Sequence, residues 1–145
     1  MSIEAIKQEI IDEFMLFDDW MDRYDYLIEQ GKNLKPLSPE HKKEENLIKG
    51  CQSKVWLHAF LNEKGNIIFK AESDAVITKG MIALLIRVFS DQRTVEVEKA
   101  DIDFLNEIGL KEQLSPTRSN GLHSMVKQMK YYAFALGSKT KSDSK

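Results

Sequence analysis

The apolar residues at the start of the chain recur every three or four positions, which is the spacing of one helix face. They are Ile3, Ile6, Ile10, Phe14 and Phe17. We therefore predict an amphipathic helix over residues 3–16, with the hydroxyl of Ser2 placed to cap its first turn.

A second set of apolar residues, again at helical spacing, predicts another helix directly after a pair of aspartates. Its members are Trp20, Tyr24, Leu27 and Ile28. Asp18 or Asp19 is placed to cap this helix, and Gly31 to end it in the left-handed conformation. Two prolines within residues 35–39 then favour a break in regular structure.

From residue 55 onward the pattern changes to the alternation that is typical of β-strands. In the first strand both faces carry apolar groups, because Val55, Leu57, Ala59 and Leu61 alternate with Trp56, His58 and Phe60. A turn at Gly65, where glycine permits a positive φ, is expected to join this strand to a partner over residues 67–71. Residues 94–98 alternate valine and glutamate and predict a short third strand at the sheet edge.

A helix that is apolar almost all round follows the predicted hairpin. It covers residues 75–89, so we expect it at the centre of the fold, with Ser73 or Asp74 as its cap. A short helix over residues 103–108 is expected to stop at Gly109.

The last predicted element is a long helix with two possible starting points. It begins either at residues 115–116, where Pro116 suits the first helical position, or near residues 119–120. The whole pattern predicts an α+β domain over residues 1–137, in which helices pack on a small antiparallel sheet of two or three strands. Residues 138–145 are predicted to be a disordered polar tail.

Composition and charge narrow the classes of function. The chain has 145 residues, of which 42% are apolar and 30% charged, and its formal net charge of −2 argues against a nucleic-acid or anionic-membrane partner. It contains neither an apolar run of membrane-spanning length nor a basic-then-apolar leader. A single cysteine excludes an internal disulfide, so we expect a reducing, cytoplasmic setting.

The residues that ligate metals and cofactors are few and scattered. His41, His58 and His123 lie far apart, and the sequence has no Cys-x-x-Cys, no acidic calcium loop and no glycine-rich phosphate loop. We therefore expect neither a metal nor a cofactor.

Cys51 is the candidate for chemistry, although a free cysteine more often packs as a small hydrophobe. Gly50 gives the backbone freedom to expose or retract it, and Gln52 offers hydrogen bonds. Lys49 and Lys54 are expected to favour the thiolate. A cysteine hydrolase would need a base, and no spacing identifies one. Because a second thiol would displace a bound sulfur by forming a disulfide, a lone cysteine suits thiol exchange between proteins.

Three separated stretches resemble the SufE-like family, the sulfur acceptors of iron–sulfur cluster assembly. They read LIKGCQSKVW at residues 47–56, ESDAVITKGM at 72–81 and LSPTRSNGL at 114–122. With the helices that precede them, the resemblance runs from about Phe14 to Leu136. Residues 93–101 depart from it, because the family tends to a short helix where this sequence alternates like a strand.

The resemblance implies a fold like those of SufE and the scaffold IscU, and a function as a sulfur carrier. Cys51 matches the family's acceptor cysteine, which takes persulfide sulfur from a cysteine desulfurase, a SufS- or CsdA-like pyridoxal-phosphate enzyme. The sulfur would then pass to a SufBCD-like scaffold complex. A homodimer is left open. The alternative is a docking module that regulates a partner without chemistry at Cys51.

The other site residues are assigned to supporting the loop or to binding the partner. Gly50 and Gln52 are expected to support the loop. Asp74 is first of all the expected cap of the central helix and secondly a hydrogen-bond support for the same loop. Lys49 is expected to contact the partner, and Arg118 either pairs with a partner's carboxylate or contacts a local helix terminus.

Overall fold

The computed structural model describes residues 1–51 and 53–143. Seven α-helices lie in this part of the chain: α1 (Ile3–Phe14), α2 (Trp20–Lys32), α3 (Val76–Phe89), α4 (Thr94–Lys99), α5 (Phe104–Glu107), α6 (Leu110–Gln113) and α7 (Pro116–Asp143). The three strands there are β1 (Val55–Leu61), β2 (Asn66–Ser73) and β3 (Gln92–Arg93). This arrangement confirms the predicted α+β class.

The first two helices begin where the sequence predicts. The Ser2 hydroxyl accepts a hydrogen bond from the Ala5 amide at 3.1 Å, and the Asp19 carboxylate accepts one from the Met21 amide at 3.3 Å. These bonds satisfy amides that have no partner within their own helix.

The sheet is antiparallel in the order β1-β2-β3. In the first pair Val55 lies opposite Ser73, and Leu61 lies opposite Ile67. The turn between them contains Gly65 at φ 81°, as predicted. Since every second residue of β2 is buried, this hairpin presents one face to the helices.

The prediction that residues 94–98 form a strand is wrong. The third strand is only Gln92–Arg93, and α4 follows it at once. In a strand, Val95 and Val97 would share a face, whereas in α4 only Val97 is buried and Val95 is 41% exposed. Lys99 also pairs with Glu96 one helical turn earlier, at 3.4 Å.

Helix α3 lies at the centre of the core, as its apolar composition predicts. Leu84, Val88 and Phe89 are completely buried. A Cβ added to Gly80 would lie 2.5 Å from the Leu27 carbonyl oxygen, and one added to Gly31 would lie 2.7 Å from the Gly80 amide nitrogen. The two glycines thus let the backbones of α2 and α3 come into contact.

The expected role of Gly31 as a left-handed helix end is therefore wrong. Helix α2 continues to Lys32, and the residue that caps its end, Asn33, has right-handed backbone angles. Glycine is needed at position 31 because the backbone of α3 leaves no room for a side chain.

The C-terminal part of the chain begins each helix after a recognisable signal. Gly109, at φ 81°, follows α5 as predicted, and Pro116 is the first residue of α7. Helix α7 continues to Asp143, six residues into the stretch expected to be disordered, because residues 138–143 contain no glycine or proline to end it. Ser144 and Lys145 lie outside the described residues.

Candidate functional site around Cys51

The Cys51 loop, residues 49–54, is closed at its base by the residues on either side. The Ile48 amide donates to the Val55 carbonyl at 2.9 Å, and Leu47 forms a β-bridge with Trp56. These contacts extend the pairing of β1 beyond the strand itself. The loop is therefore short, and its two ends are joined by backbone pairing.

Position 50 requires a residue without a side chain, for two reasons. Its φ of 91° lies in the left-handed region, and an added Cβ would lie 2.6 Å from the Ser124 hydroxyl oxygen. Gly50 is thus the residue at which the loop packs closely against α7. Gln52, which the sequence assigns to loop support, lies outside the described residues.

Cys51 is half-buried, and its thiol rests against α7. The S–H donates a long hydrogen bond to the Gly121 carbonyl oxygen at 3.6 Å. We expected Lys49 and Lys54 to favour the thiolate, but burial dominates and raises the pKa of Cys51. In this position the sulfur is a protected thiol.

A cavity of about 240 Å³ opens beside the thiol, between the first turns of α3 and α7. The part contributed by α3 and the residue before it runs from Ala75 through Thr78 and includes Met81. The part contributed by α7 contains Thr117, Arg118, Gly121 and Met125. Two stretches far apart in sequence thus meet at Cys51.

A second cavity, of about 290 Å³, lies on the other approach to the loop. Lys49, Lys54 and Glu44 supply its charged groups, and Leu47 and Ile48 supply apolar surface. Because Cys51 lines both cavities, open space lies on two sides of the residue.

Asp74 ties the Cys51 loop to the start of α3. Its carboxylate accepts from the Lys54 amide at 3.1 Å, and its own amide donates to the Lys54 carbonyl at 3.3 Å. The prediction that Ser73 or Asp74 caps α3 is wrong: Ala75 is the N-cap residue, and it makes no side-chain cap. The carboxylate is already held by the loop amide.

Arg118 is exposed at the rim of the first cavity. Its backbone amide donates to the Ser115 hydroxyl at 3.3 Å, within the first turn of α7. Among the described residues its guanidinium makes no hydrogen bond or ion pair, so the expected contact with a local helix terminus is not formed. The structure brings Arg118 and Cys51 to one cavity, whereas Lys49 lies on the other.

Two residues of this site were missed from the sequence. Gly121 approaches the Cys51 sulfur from within α7, and Thr78 lines the first cavity while only 8% exposed. A glycine inside a predicted helix is a sign of close approach, so Gly121 carried a usable signal. Thr78 carried a weaker signal, as a hydroxyl inside a predicted helix that is apolar almost all round.

The histidines lie elsewhere. His41 and His58 stack with ring centroids 3.8 Å apart, and no histidine lines either cavity at Cys51. Over residues 1–51 and 53–143 no three histidine, cysteine or acidic side chains are grouped as metal ligands. Within the same ranges no helix is both long and apolar enough to cross a bilayer.

Comparison with known proteins gives one consistent result. The family model described as "SufE: Fe-S metabolism associated domain" matches residues 8–133. An uncharacterized SufE-like protein from Rhizobium meliloti is 42% identical over 126 residues, covering 84% of this chain and 90% of that protein.

A second relative is much longer than this chain, and one solved structure is similar in fold. "SufE-like protein 1, chloroplastic/mitochondrial" from Arabidopsis thaliana is 40% identical over 137 residues; these are 94% of this chain but only 37% of that protein. The solution structure of a hypothetical protein from Thermus thermophilus superposes with a TM-score of 0.74, covering 90% of this chain and 95% of the other. At 20% identity, this last match speaks for the fold alone.

Proposed function

This chain belongs to the SufE family, whose domain is associated with Fe–S metabolism, and we propose that it carries sulfur as a persulfide on Cys51. The donor is a cysteine desulfurase, and the recipient is a SufBCD-like scaffold complex for iron–sulfur clusters. The supporting observation is the position of Cys51: a half-buried thiol on a short loop between two open cavities.

The transfer balances without an oxidant or reductant. The Cys51 thiol loses its proton, and its sulfur attacks the outer sulfur of a cysteine persulfide on the desulfurase. A new S–S bond forms at Cys51 as the donor's S–S bond breaks, and the donor cysteine leaves as a thiolate that takes up the proton. By clearing the product sulfur, the carrier speeds turnover of the desulfurase.

The surroundings of Cys51 suit exchange with a second protein better than hydrolysis. A hydrolase needs a base held beside its nucleophile, yet the residues lining the two cavities include no histidine. Burial raises the pKa of Cys51, which keeps the resting thiol unreactive. The missing activation is then supplied in the complex with the desulfurase.

We propose that the loop has a sheltered and a presented state. In the sheltered state the thiol bonds to Gly121, and Asp74 holds Lys54. The presented state breaks these contacts and keeps the pairing at the loop base. Few bonds are lost, so the complex with a partner compensates for them. Shelter protects the sulfur from reductants and oxidants between encounters.

Positive side chains at the rim are suited to a partner's carboxylates. Arg118 is exposed at the first cavity, with no ion pair from its guanidinium to any described residue, and Lys49 is exposed at the second. Val76 lines the first cavity together with Arg118 and is 57% exposed, so it adds apolar surface to the contact. We place this relay in the cytoplasm, within a single domain over residues 1–137.

Replacing Cys51 with serine separates a carrier from a docking module. The full-length protein and Cys51→Ser are each added to a cysteine desulfurase, and release of alanine from cysteine is measured. A carrier loses its stimulation in the variant, because the serine hydroxyl cannot hold a sulfane sulfur. Equal stimulation by both proteins would contradict the proposal and favour docking alone.

A further inference from the structure

Thr78 is a buried side chain whose hydroxyl has no hydrogen-bond partner among the residues that the structure describes. The residue is 8% exposed, and none of the side-chain hydrogen bonds between described residues involves it. Over the same residues no unpaired polar side-chain atom is sealed from solvent, so the Thr78 hydroxyl is open to solvent, and the residue lines a space that is open in the same way. That space is the cavity beside Cys51. A buried hydroxyl that reaches a cavity unpaired is available for a ligand.

The first turn of α3 opens into the same cavity. Its lining includes the N-cap residue Ala75 together with Val76, Ile77 and Thr78, and no side chain caps the helix. The first amides of an α-helix have no carbonyl partner in their own helix and give this end a partial positive charge. Arg118 on the facing wall adds a full positive charge. The cavity is therefore electrostatically suited to an anion.

The group that the proposed function delivers here is an anion. The outer sulfur of a persulfide is more acidic than a thiol, so a loaded Cys51 carries a negative charge on the atom that extends beyond its own sulfur. We propose that the Thr78 hydroxyl and the first-turn amides of α3 bind this outer sulfur of the Cys51 persulfide. This inference rests on the proposed function and names the residues that hold its cargo.

As a consequence, the cavity binds the persulfide of the loaded protein better than it binds the thiol of the unloaded protein. The unloaded thiol is neutral and makes one long bond to Gly121, whereas the loaded anion gains donors that the unloaded form does not use. The outer sulfur is thus stabilised as an anion and screened from solvent until a recipient arrives.

The test loads Cys51 chemically, so that it does not depend on the desulfurase. The full-length protein is converted to the mixed disulfide with 5-thio-2-nitrobenzoate, and hydrosulfide then displaces the aromatic thiol. This leaves one sulfur on Cys51, because the aromatic thiol is the better leaving group. The rate at which iodoacetamide alkylates the outer sulfur is measured against pH for wild type, Thr78→Val, Thr78→Ser and Thr117→Val.

Valine has the shape of threonine without the hydroxyl. Thr78→Val should therefore raise the pH midpoint of alkylation by about one pH unit, which corresponds to a roughly tenfold weaker ionisation of the outer sulfur. Thr78→Ser should restore the wild-type midpoint. Thr117→Val, an exposed threonine on the same cavity, should leave it unchanged. Equal midpoints for Thr78→Val and wild type, or an equal shift in Thr117→Val, would overturn the inference.

The same proteins keep the inference and the proposed function apart. If the desulfurase fails to load Cys51 while the chemically loaded variants show the shift, the relay fails and the sulfur site stands. If the desulfurase loads all four proteins and the midpoints agree, the relay stands and the Thr78 site is overturned.

Discussion

The first two turns of α3 are held by two regions of opposite character. At Gly80 the backbone of α2 lies so close that a Cβ would be 2.5 Å from the Leu27 carbonyl oxygen. At Thr78 and its neighbours α3 lines an open cavity of about 240 Å³, beside a loop held by the bonds of Asp74 and Cys51. The contact of α3 with α2 is fixed by backbone packing, whereas the Cys51 loop beside the cavity is held by a few polar bonds.

The difference separates stability from reactivity along a single helix. The crossing of α2 and α3 has no room to adjust, because close-packed interiors yield little. The Cys51 loop is held by a few polar bonds, and its base is paired separately between Ile48 and Val55. Substitutions at the crossing should therefore change the free energy of unfolding, whereas those at the loop should change access to the thiol.

The largest expected effect is that of Gly80→Ala. Its methyl group would meet the Leu27 carbonyl, so α2 and α3 must separate, and we expect a loss of about 3 kcal/mol in the free energy of unfolding by urea denaturation. Gly121→Ala is the matched control within a helix, since its Cβ has ordinary contact with the Cys51 sulfur at 3.6 Å. The control should be neutral or stabilising by up to about 1 kcal/mol. Equal losses of stability in Gly80→Ala and Gly121→Ala would contradict the difference between the α2–α3 crossing and the Cys51 region.

Gly50→Ala should have an intermediate effect. The left-handed φ of 91° costs a non-glycine residue about 1–2 kcal/mol, and the new Cβ would press on the Ser124 hydroxyl. Because the loop can shift, we expect a smaller stability loss than in Gly80→Ala and faster labelling of Cys51 by a thiol reagent. Adding Ser124→Ala should recover only the part due to the clash. Unchanged labelling would argue that the loop is rigid.

A smaller effect is expected from the charged cluster that joins α1, α2 and α3. Arg87 bonds to Glu13 and Glu9, and the Tyr26 hydroxyl also bonds to Glu13. The bond from Arg87, with help from Tyr26, holds the pKa of Glu13 below its ordinary value of 4.5, while burial and Glu13 raise the pKa of Tyr26 to about 12.

For Glu13→Gln we therefore expect a loss of about 1 kcal/mol at neutral pH. A depressed pKa means that the stabilisation is present above 4.5 and is lost as the pH falls through the lower, folded value. Urea titrations of both proteins should thus converge in acid. A difference that persists unchanged below that pH would show that charge is not the cause.

The smallest effect on stability, but a measurable one on access, is expected from Asp74→Ala. It removes the acceptor for the Lys54 amide at an exposed position, so the unfolding midpoint should barely move. Labelling of Cys51 should become about threefold faster, because the loop opens more often. Asp74→Asn keeps an acceptor oxygen and should stay near the wild-type rate. Slower labelling in Asp74→Ala would contradict the view that Asp74 holds the loop in the sheltered state.

Local signals predicted much of the fold. The cap at Ser2 and the turn at Gly65 depend on bonds or angles within a few residues. The cap at Asp19 and the start of α7 at Pro116 are equally local, and each was one of two predicted positions. Where the sequence misled, a distant partner decided the outcome. Gly31 has the appearance of a helix end, but the backbone of α3 is the reason for it.

The same distinction applies to the site. Cys51 and Arg118 were found from motifs, but the contact of the thiol with Gly121 joins residues 70 positions apart and follows only from the packing of α7. Asp74 was assigned to the right loop and to the wrong helix cap. In residues 94–98 the alternation misled, because the segment packs against α7 as a helix that buries Val97 and leaves Val95 exposed.

The most direct test of a sulfur carrier is the mass of Cys51 after contact with a donor. The full-length protein is incubated with a cysteine desulfurase and cysteine, and its intact mass and Cys51 peptide are measured without reductant. We predict one added sulfur atom on Cys51, removed by a reducing agent and absent from Cys51→Ser. An unmodified Cys51 after many desulfurase turnovers would contradict this account.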